Sequence, residues 1–222
     1  MEPRIITEDT SYLVLYKPPR LHTAPLREGE ENTLLDWAAR RFPDILLING
    51  RKKFEGGLVH RLDFETQGLV LCARTNKALK FFVDQQEKGL IVKEYEALTA
   101  SMQTDKILTV IESSFRPYGK GRKEVRPVPV GNPIYKTEIL SCEKTEDQCF
   151  FRLRISKGYR HQIRCHMAWI GQPIVNDYIY GNYKKESGQV YGKPGMDAFL
   201  ALRASSIAFN DPDTGKRKQF TI

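Results

Sequence analysis

The residues with the most chemical potential stand together in the run His60-Arg61-Leu62-Asp63-Phe64-Glu65-Thr66-Gln67-Gly68. A cation sits two residues before a carboxylate, and the run closes on Thr66 and Gly68 just ahead of an apolar stretch. That pattern predicts a tight, hydrogen-bonded loop for Asp63 rather than a solvated face. A carboxylate held there can act as nucleophile or base, while the Arg61 guanidinium can meet a phosphate or a nucleobase. Taken alone, an Arg-x-Asp is more often a turn cap beside a surface charge than a catalytic site. Two further clusters shift that balance.

Lys93-Glu94-Tyr95 reads as part of a strand, where residues two apart share a face. Lys93, Tyr95 and Ala97 then point one way, and Glu94 and Glu96 the other. A tyrosine ring beside a lysine offers a flat apolar platform plus a phenol, which suits a nucleobase better than a sugar phosphate. On this segment alone a half-buried structural tyrosine is the plainer reading. The third cluster is Gly158-Tyr159-Arg160-His161-Gln162-Ile163-Arg164, after the alternating strand Phe151–Ile155. It opens a helix that runs to Ile170. His161 and Arg164 are three apart and can project from one helical face. Arg164 is then available to a buried carboxylate, and a guanidinium favours the anion that desolvation disfavours.

The elements that must position these groups can be read around them. Residues 12–16 form a strand stopped by Pro18 and Pro19. Thr33 to Phe42 reads as a helix with Leu34, Leu35, Ala38 and Ala39 on one stripe, ended by Pro43. Residues 68–73 are a short apolar strand, and 76–88 a second helix capped by Thr75 and stopped by Gly89. Strands are expected near 92–99, 107–112, 134–140 and 148–156, a third helix over 160–170, and a last strand pair within 198–209. Strands outnumber helices without alternating regularly with them. The class is therefore α+β, with a mixed, largely antiparallel central sheet and flanking helices. Two stretches read as loops. Residues 116–133 carry Arg116, Lys120, Arg122, Lys123 and Arg126 among four prolines, leaving cations for an anionic ligand. Residues 182–195, rich in Lys and Gly, read as a surface excursion without a specific role.

Composition bounds the answer. With 222 residues the chain can bury a sizeable core, as one domain or two intimate lobes. No apolar run reaches the ~18 residues that a membrane helix needs, and Met1-Glu2-Pro3-Arg4 lacks the features of a signal peptide. The expected compartment is the cytoplasm. A formal charge of +8 points to a polyanionic partner, because cations along phosphates release condensed counterions. Cys72, Cys142, Cys149 and Cys165 show no CxxC spacing and read as buried thiols. His22, His60, His161 and His166 are scattered, and the last two miss the i, i+4 spacing of a helical metal pair. No metal site is expected.

The three clusters, in this order, resemble the RluA-type family of pseudouridine synthases. HRLDFETQG at 60–68, KEY at 93–95, GYRHQIRCH at 158–166 and GQPIVND at 171–177 carry the resemblance. Tyr16-Lys17-Pro18-Pro19 is similar to the family's first motif, and Leu202-Arg203-Ala204 with Phe209 and Asp211-Pro212 to its C-terminal strand. The departures are Gln67 for a serine, Tyr159 for an arginine, Asn176 for a glycine, and Arg203 and Asp211 where histidines are common. None removes a residue that the chemistry needs. The resemblance implies one pseudouridine synthase catalytic domain over 1–222, with a cleft between two lobes and no separate N-terminal RNA-binding domain. It implies isomerisation of a specific uridine in ribosomal or transfer RNA by a monomer, with no cofactor. Asp63 would be the catalytic nucleophile or base, Tyr95 would stack on the uracil, and Arg164 would pair with Asp63. His60, Arg61, Lys93, His161 and Gln162 would meet the substrate, with Arg61 filling the space of a flipped nucleotide.

Two rival readings stand beside it. An inactive RNA-binding module on the same fold has no chemical reason to keep a carboxylate beside Arg164. A hydrolase using Asp63 with His60 or His161 lacks a Ser or Cys nucleophile motif and a second acid to pair with Asp63.

Overall fold

The structure is a computed structural model. It describes all residues except 51, 53, 101–108, 120, 122, 123 and 182–197. The chain divides into two compact units, residues 1–93 with 204–222 and residues 94–203.

The first unit is built on β2 (Tyr12–Lys17), buried along its whole length. It lies between β1 (Arg4–Glu8) and β3 (Gln67–Ala73), antiparallel to both. Next to β3 comes β9 (Leu202–Asn210), and β10 (Arg217–Thr221) pairs antiparallel with β9. A strand buried on both faces needs an unbroken apolar run, and Tyr-Leu-Val-Leu-Tyr supplies it. The approach of β3 to β9 is close enough to require glycine. A Cβ at Gly68, where φ is +124°, would lie 2.2 Å from the Ala204 carbonyl oxygen.

Two helices belong to this unit, and the second of them packs on β3. α1 (Leu34–Ala39) starts on a capping box: Thr33 accepts from the Asp36 N–H, and the Asp36 carboxylate accepts from the Thr33 N–H. It is shorter than its apolar stripe suggested. The Arg41 and Phe42 amides both turn back to the Ala38 carbonyl, and Pro43 opens a separate 3₁₀ turn to Leu47. α2 (Asn76–Glu87) ends one residue short of the expected 76–88, with Thr75 capping the Ala78 amide and Gly89 at positive φ. Its Phe82 enters an edge-to-face cluster with Tyr12 and Phe209, ring centroids 6.0 and 5.2 Å away.

The second unit holds strands in the order β4 (Val92–Ala100), β8 (Gln148–Ile155), β7 (Tyr135–Lys144), β5 (Val110–Tyr118) and β6 (Glu124–Val128). The first two residues of β4 belong to the first unit. The pairs β7–β8, β5–β7 and β5–β6 are antiparallel. α3 (Gln162–Trp169) packs on β6 and β7.

Four further expectations change. β1 was missed, because its polar ends and Pro3 hide a five-residue edge strand. The final strand pair is β9 with β10, joined by a turn wound on Asp211, rather than lying within 198–209. Residues 116–133 are not one loop, since β5 and β6 form a hairpin there. Pro127 is tolerated because β6 ends the strand order, and Pro117 because β5 overhangs its pairing with β7 at Ser113. Lys120, Arg122, Lys123 and the excursion at 182–195 lie outside the described residues. Finally, α3 begins at Gln162, because His161, just before it, takes a left-handed φ of 54°.

Candidate active site

In the first unit, the loop ahead of β3 presents Asp63, half-buried, as the tight turn predicted. The Thr66 amide donates to the Asp63 carbonyl at 3.1 Å, closing the turn. On its inner side Leu62 is clamped to Thr23: its amide donates to Oγ1 at 3.1 Å, and that hydroxyl donates to the Leu62 carbonyl at 2.8 Å. The Lys17 ammonium, fully buried at the end of β2, donates to the carbonyls of Pro18 (2.9 Å), Leu21 (2.8 Å) and Phe64 (3.1 Å). Its three donors thus staple the Asp63 loop to the turn after β2. Burial pushes Lys17 down to about 7, against the upward pull of Asp63 and Glu65. Tyr16-Lys17-Pro18-Pro19 is thus both a strand end and the support of this loop, and a lysine closing a wholly apolar strand is the signal in the sequence.

Arg61 is exposed, yet tethered, with Nη1 3.1 Å from Oε1 of the nearly buried Glu55. His60 faces inward. Its Nε2 accepts from the Leu71 amide at 3.2 Å, and burial first, then the charge of Lys93, holds it well below its ordinary pKa. His60 is therefore a neutral acceptor bracing β3. Lys93 is also buried, and burial pushes its amine down to about 8. The alternation expected for β4 holds, with Lys93, Tyr95, Ala97 and Thr99 as its buried residues.

In the second unit, Arg164 is the third residue of α3 and almost wholly buried. Nε and Nη2 grip both oxygens of Asp177 at 2.7 and 2.8 Å. Asp177 ends the GQPIVND motif, and nothing in the motif as a sequence gives this residue a role. His161 does not share a helical face with Arg164, because its left-handed backbone takes it off the helix. Both side chains nevertheless meet Tyr180: His161 Nδ1 is 3.0 Å from the phenol oxygen, and the Arg164 guanidinium lies 5.5 Å from the ring centroid. Gln162, expected at the substrate, is instead buried and committed. Its Nε2 donates to the Lys136 carbonyl and Thr137 Oγ1, and its Oε1 accepts from the Tyr159 amide. It holds the turn that leads into α3.

The departures from the family pattern have local explanations. Asn176 sits at φ 63°, a conformation open to glycine and tolerated by asparagine. Gln67 accepts from the Tyr16 hydroxyl at 2.7 Å, Tyr159 stacks on Phe115 with planes 7° apart, and Arg203 pairs with Glu96. One arrangement mimics a hydrolase: Ser113 Oγ lies 2.9 Å from His166 Nε2. Both residues are fully buried, and burial pushes His166 down to about 4, so the pair is core structure.

The RNA pseudouridylate synthase family model matches residues 11–169, and the chain belongs to that family, whose members are isomerases. A ribosomal large subunit pseudouridine synthase D from Escherichia coli O6:H1 is 30% identical over 220 residues, covering 95% of this chain and 64% of that protein. One of the same name from Haemophilus ducreyi is 27% identical over 96% of this chain and 64% of its own length. The chain thus spans just under two thirds of these relatives. Human RNA Pseudouridylate Synthase Domain Containing 4 shares the fold at a TM-score of 0.70 and 18% identity, over 98% of this chain and 87% of that one. Human RNA Pseudouridylate Synthase Domain Containing 1 does so at 0.68 and 20%, over 100% and 83%.

Proposed function

We propose that this protein isomerises a uridine in RNA to pseudouridine, with Asp63 as the catalytic carboxylate. The glycosidic bond breaks, the base rotates, and carbon rather than nitrogen rejoins the ribose, with no redox change and no hydrolysis. The observation that carries the reading is the loop around Asp63, pinned through Leu62 by Thr23 and through Phe64 by Lys17. A carboxylate presented on a pinned backbone keeps its geometry when the substrate arrives.

Around it, Tyr95 stacks on the uracil and takes part in proton transfer at the ring carbon. Arg164 orients the Asp63 carboxylate. A guanidinium carries five N–H donors, so its grip on Asp177 is compatible with a second carboxylate. Arg61 leaves Glu55 and fills the space of the flipped nucleotide. A single bond at 3.1 Å on a half-exposed side chain is a contact that a phosphate or stacked base can replace. The relatives' names favour large-subunit ribosomal RNA as the first target to examine, with transfer RNA the second. The protein acts as a cytoplasmic monomer, and no step needs a cofactor.

The test is Asp63→Asn, incubated with uridine-labelled total RNA. Pseudouridine formation should vanish while RNA affinity stays within a few-fold, because phosphate contacts dominate affinity. Near-normal turnover by that variant would refute Asp63 as the catalyst. Binding without conversion by the unmodified protein would support the inactive module instead.

A further inference from the structure

We infer that Asp177 and Tyr180 are positioning residues that set the plane of the Arg164 guanidinium. The inference rests on the reading above, in which Arg164 orients Asp63. Its own support lies within the second unit. Arg164 and Asp177 are 3% and 2% exposed, and two bonds of 2.7 and 2.8 Å join them fork to fork.

Asp177 is itself fixed. Its Oδ1 accepts from the Ile179 and Tyr180 amides, both at 3.0 Å, while its own amide donates to the Ile174 carbonyl. The Gly181 amide closes back on the Asp177 carbonyl at 2.7 Å. The chain from 174 to 181 is therefore wound around this carboxylate, and Asn176 supplies the left-handed residue that lets it turn. The same turn delivers Tyr180 to the guanidinium, its ring centroid 5.5 Å from the central carbon. The phenol is held in turn by the Val125 amide at 2.9 Å and by His161 at 3.0 Å. Carboxylate and ring constrain the guanidinium from two directions.

A consequence follows for the chemistry. Arg164 never loses its charge, and Asp177 cancels that charge at contact distance. Towards Asp63, Arg164 therefore acts as an oriented hydrogen-bond donor rather than as a source of net positive potential. Its direction matters more than its charge. Misplacement by about 1 Å can cost on the order of 100-fold in rate.

The experiment measures kcat and apparent KM of the full chain on uridine-labelled total RNA for Asp177→Asn, Tyr180→Leu and Arg164→Lys. The double variants with Arg164→Lys and the Asp63→Asn control are run beside them. Asp177→Asn should lower kcat about 100-fold and Tyr180→Leu about 10-fold, with KM within twofold, since neither residue is placed at the RNA. Neither change should deepen the defect of Arg164→Lys, because both act through that side chain. Wild-type kcat in either folded variant, a defect expressed in KM, or losses that multiply with Arg164→Lys would each overturn the inference. If Asp177→Asn does not fold, Tyr180→Leu, which keeps the buried ion pair, decides the matter. Should Asp63→Asn stay active, the reading of Asp63 falls. Should it be inactive while Asp177→Asn and Tyr180→Leu are normal, only the positioning role falls.

Discussion

Acid should destabilise the second unit through one histidine. His166 is wholly buried, and both ring nitrogens bond hydroxyls, Nε2 with Ser113 Oγ and Nδ1 with Thr137 Oγ1, each at 2.9 Å. A hydroxyl can donate or accept, so the neutral ring is satisfied in either tautomer. An imidazolium gains no carboxylate from those two partners and loses its hydration. Burial accordingly pushes His166 from 6.5 down to about 4. The folded pKa lies below the unfolded one, so below 6.5 the unfolded chain takes up a proton that the native state refuses. Stability therefore falls as pH drops from about 6.5 to about 4, and levels off below that for this group. A displacement of about 2.5 units at 1.36 kcal/mol each gives ~3 kcal/mol, a large part of a typical domain's stability.

The assay can be made specific to this unit. Trp169 lies beside His166, with ring centroids 6.4 Å apart, and a Trp37→Phe background leaves it as the sole tryptophan. Urea unfolding followed by Trp169 fluorescence is compared between that background and the same protein carrying His166→Gln. The parent should lose ~3 kcal/mol more than the variant between pH 7.5 and pH 4. Stability curves that run parallel across this window would refute the argument, since His166 would then titrate alike in both states.

Two further outcomes are expected. Arg116 and Arg126 stand directly opposite each other on the β5–β6 hairpin, and the Arg126 guanidinium lies 3.1 Å from the Tyr118 ring centroid. Like charges facing across a ladder are unfavourable without a polyanion. Replacing both by Ala should flatten the logarithmic salt dependence of RNA binding by about 1–2 units without changing which uridine is modified, and an unchanged slope would make the hairpin ordinary surface. Tyr95→Phe should cripple turnover while RNA binding stays normal, and Tyr95→Leu should also lose stacking worth about 1–3 kcal/mol. A Tyr95→Phe protein with near wild-type turnover would leave the ring as a platform only.

What the sequence could reveal divides along a physical line. Local patterns were legible. Thr75 and Gly89 bound α2, the alternation through Lys93 and Tyr95 marks β4, and the close of the Asp63 turn on Thr66 followed from residue types alone. Partnerships between distant residues were not. Lys17 reaches Phe64 across 47 positions and Thr23 reaches Leu62 across 39, and no periodicity encodes such pairings. Backbone conformation misled in the same way: three-residue spacing put His161 and Arg164 on one helical face, whereas a left-handed residue at 161 starts the helix one position later. The two side chains still converge, because Tyr180 lies against both. Prolines misled too, since four of them argued against strands at 116–133 while two fit where a pairing ends or an edge is open. The chemistry-bearing residues were therefore legible as types, and their supports were legible only in three dimensions. Asp177 shows why the distinction matters for function. As a letter it closes a motif, but in the structure its carboxylate gathers a guanidinium and two backbone amides, and so carries orientation that a helix start alone could not give Arg164.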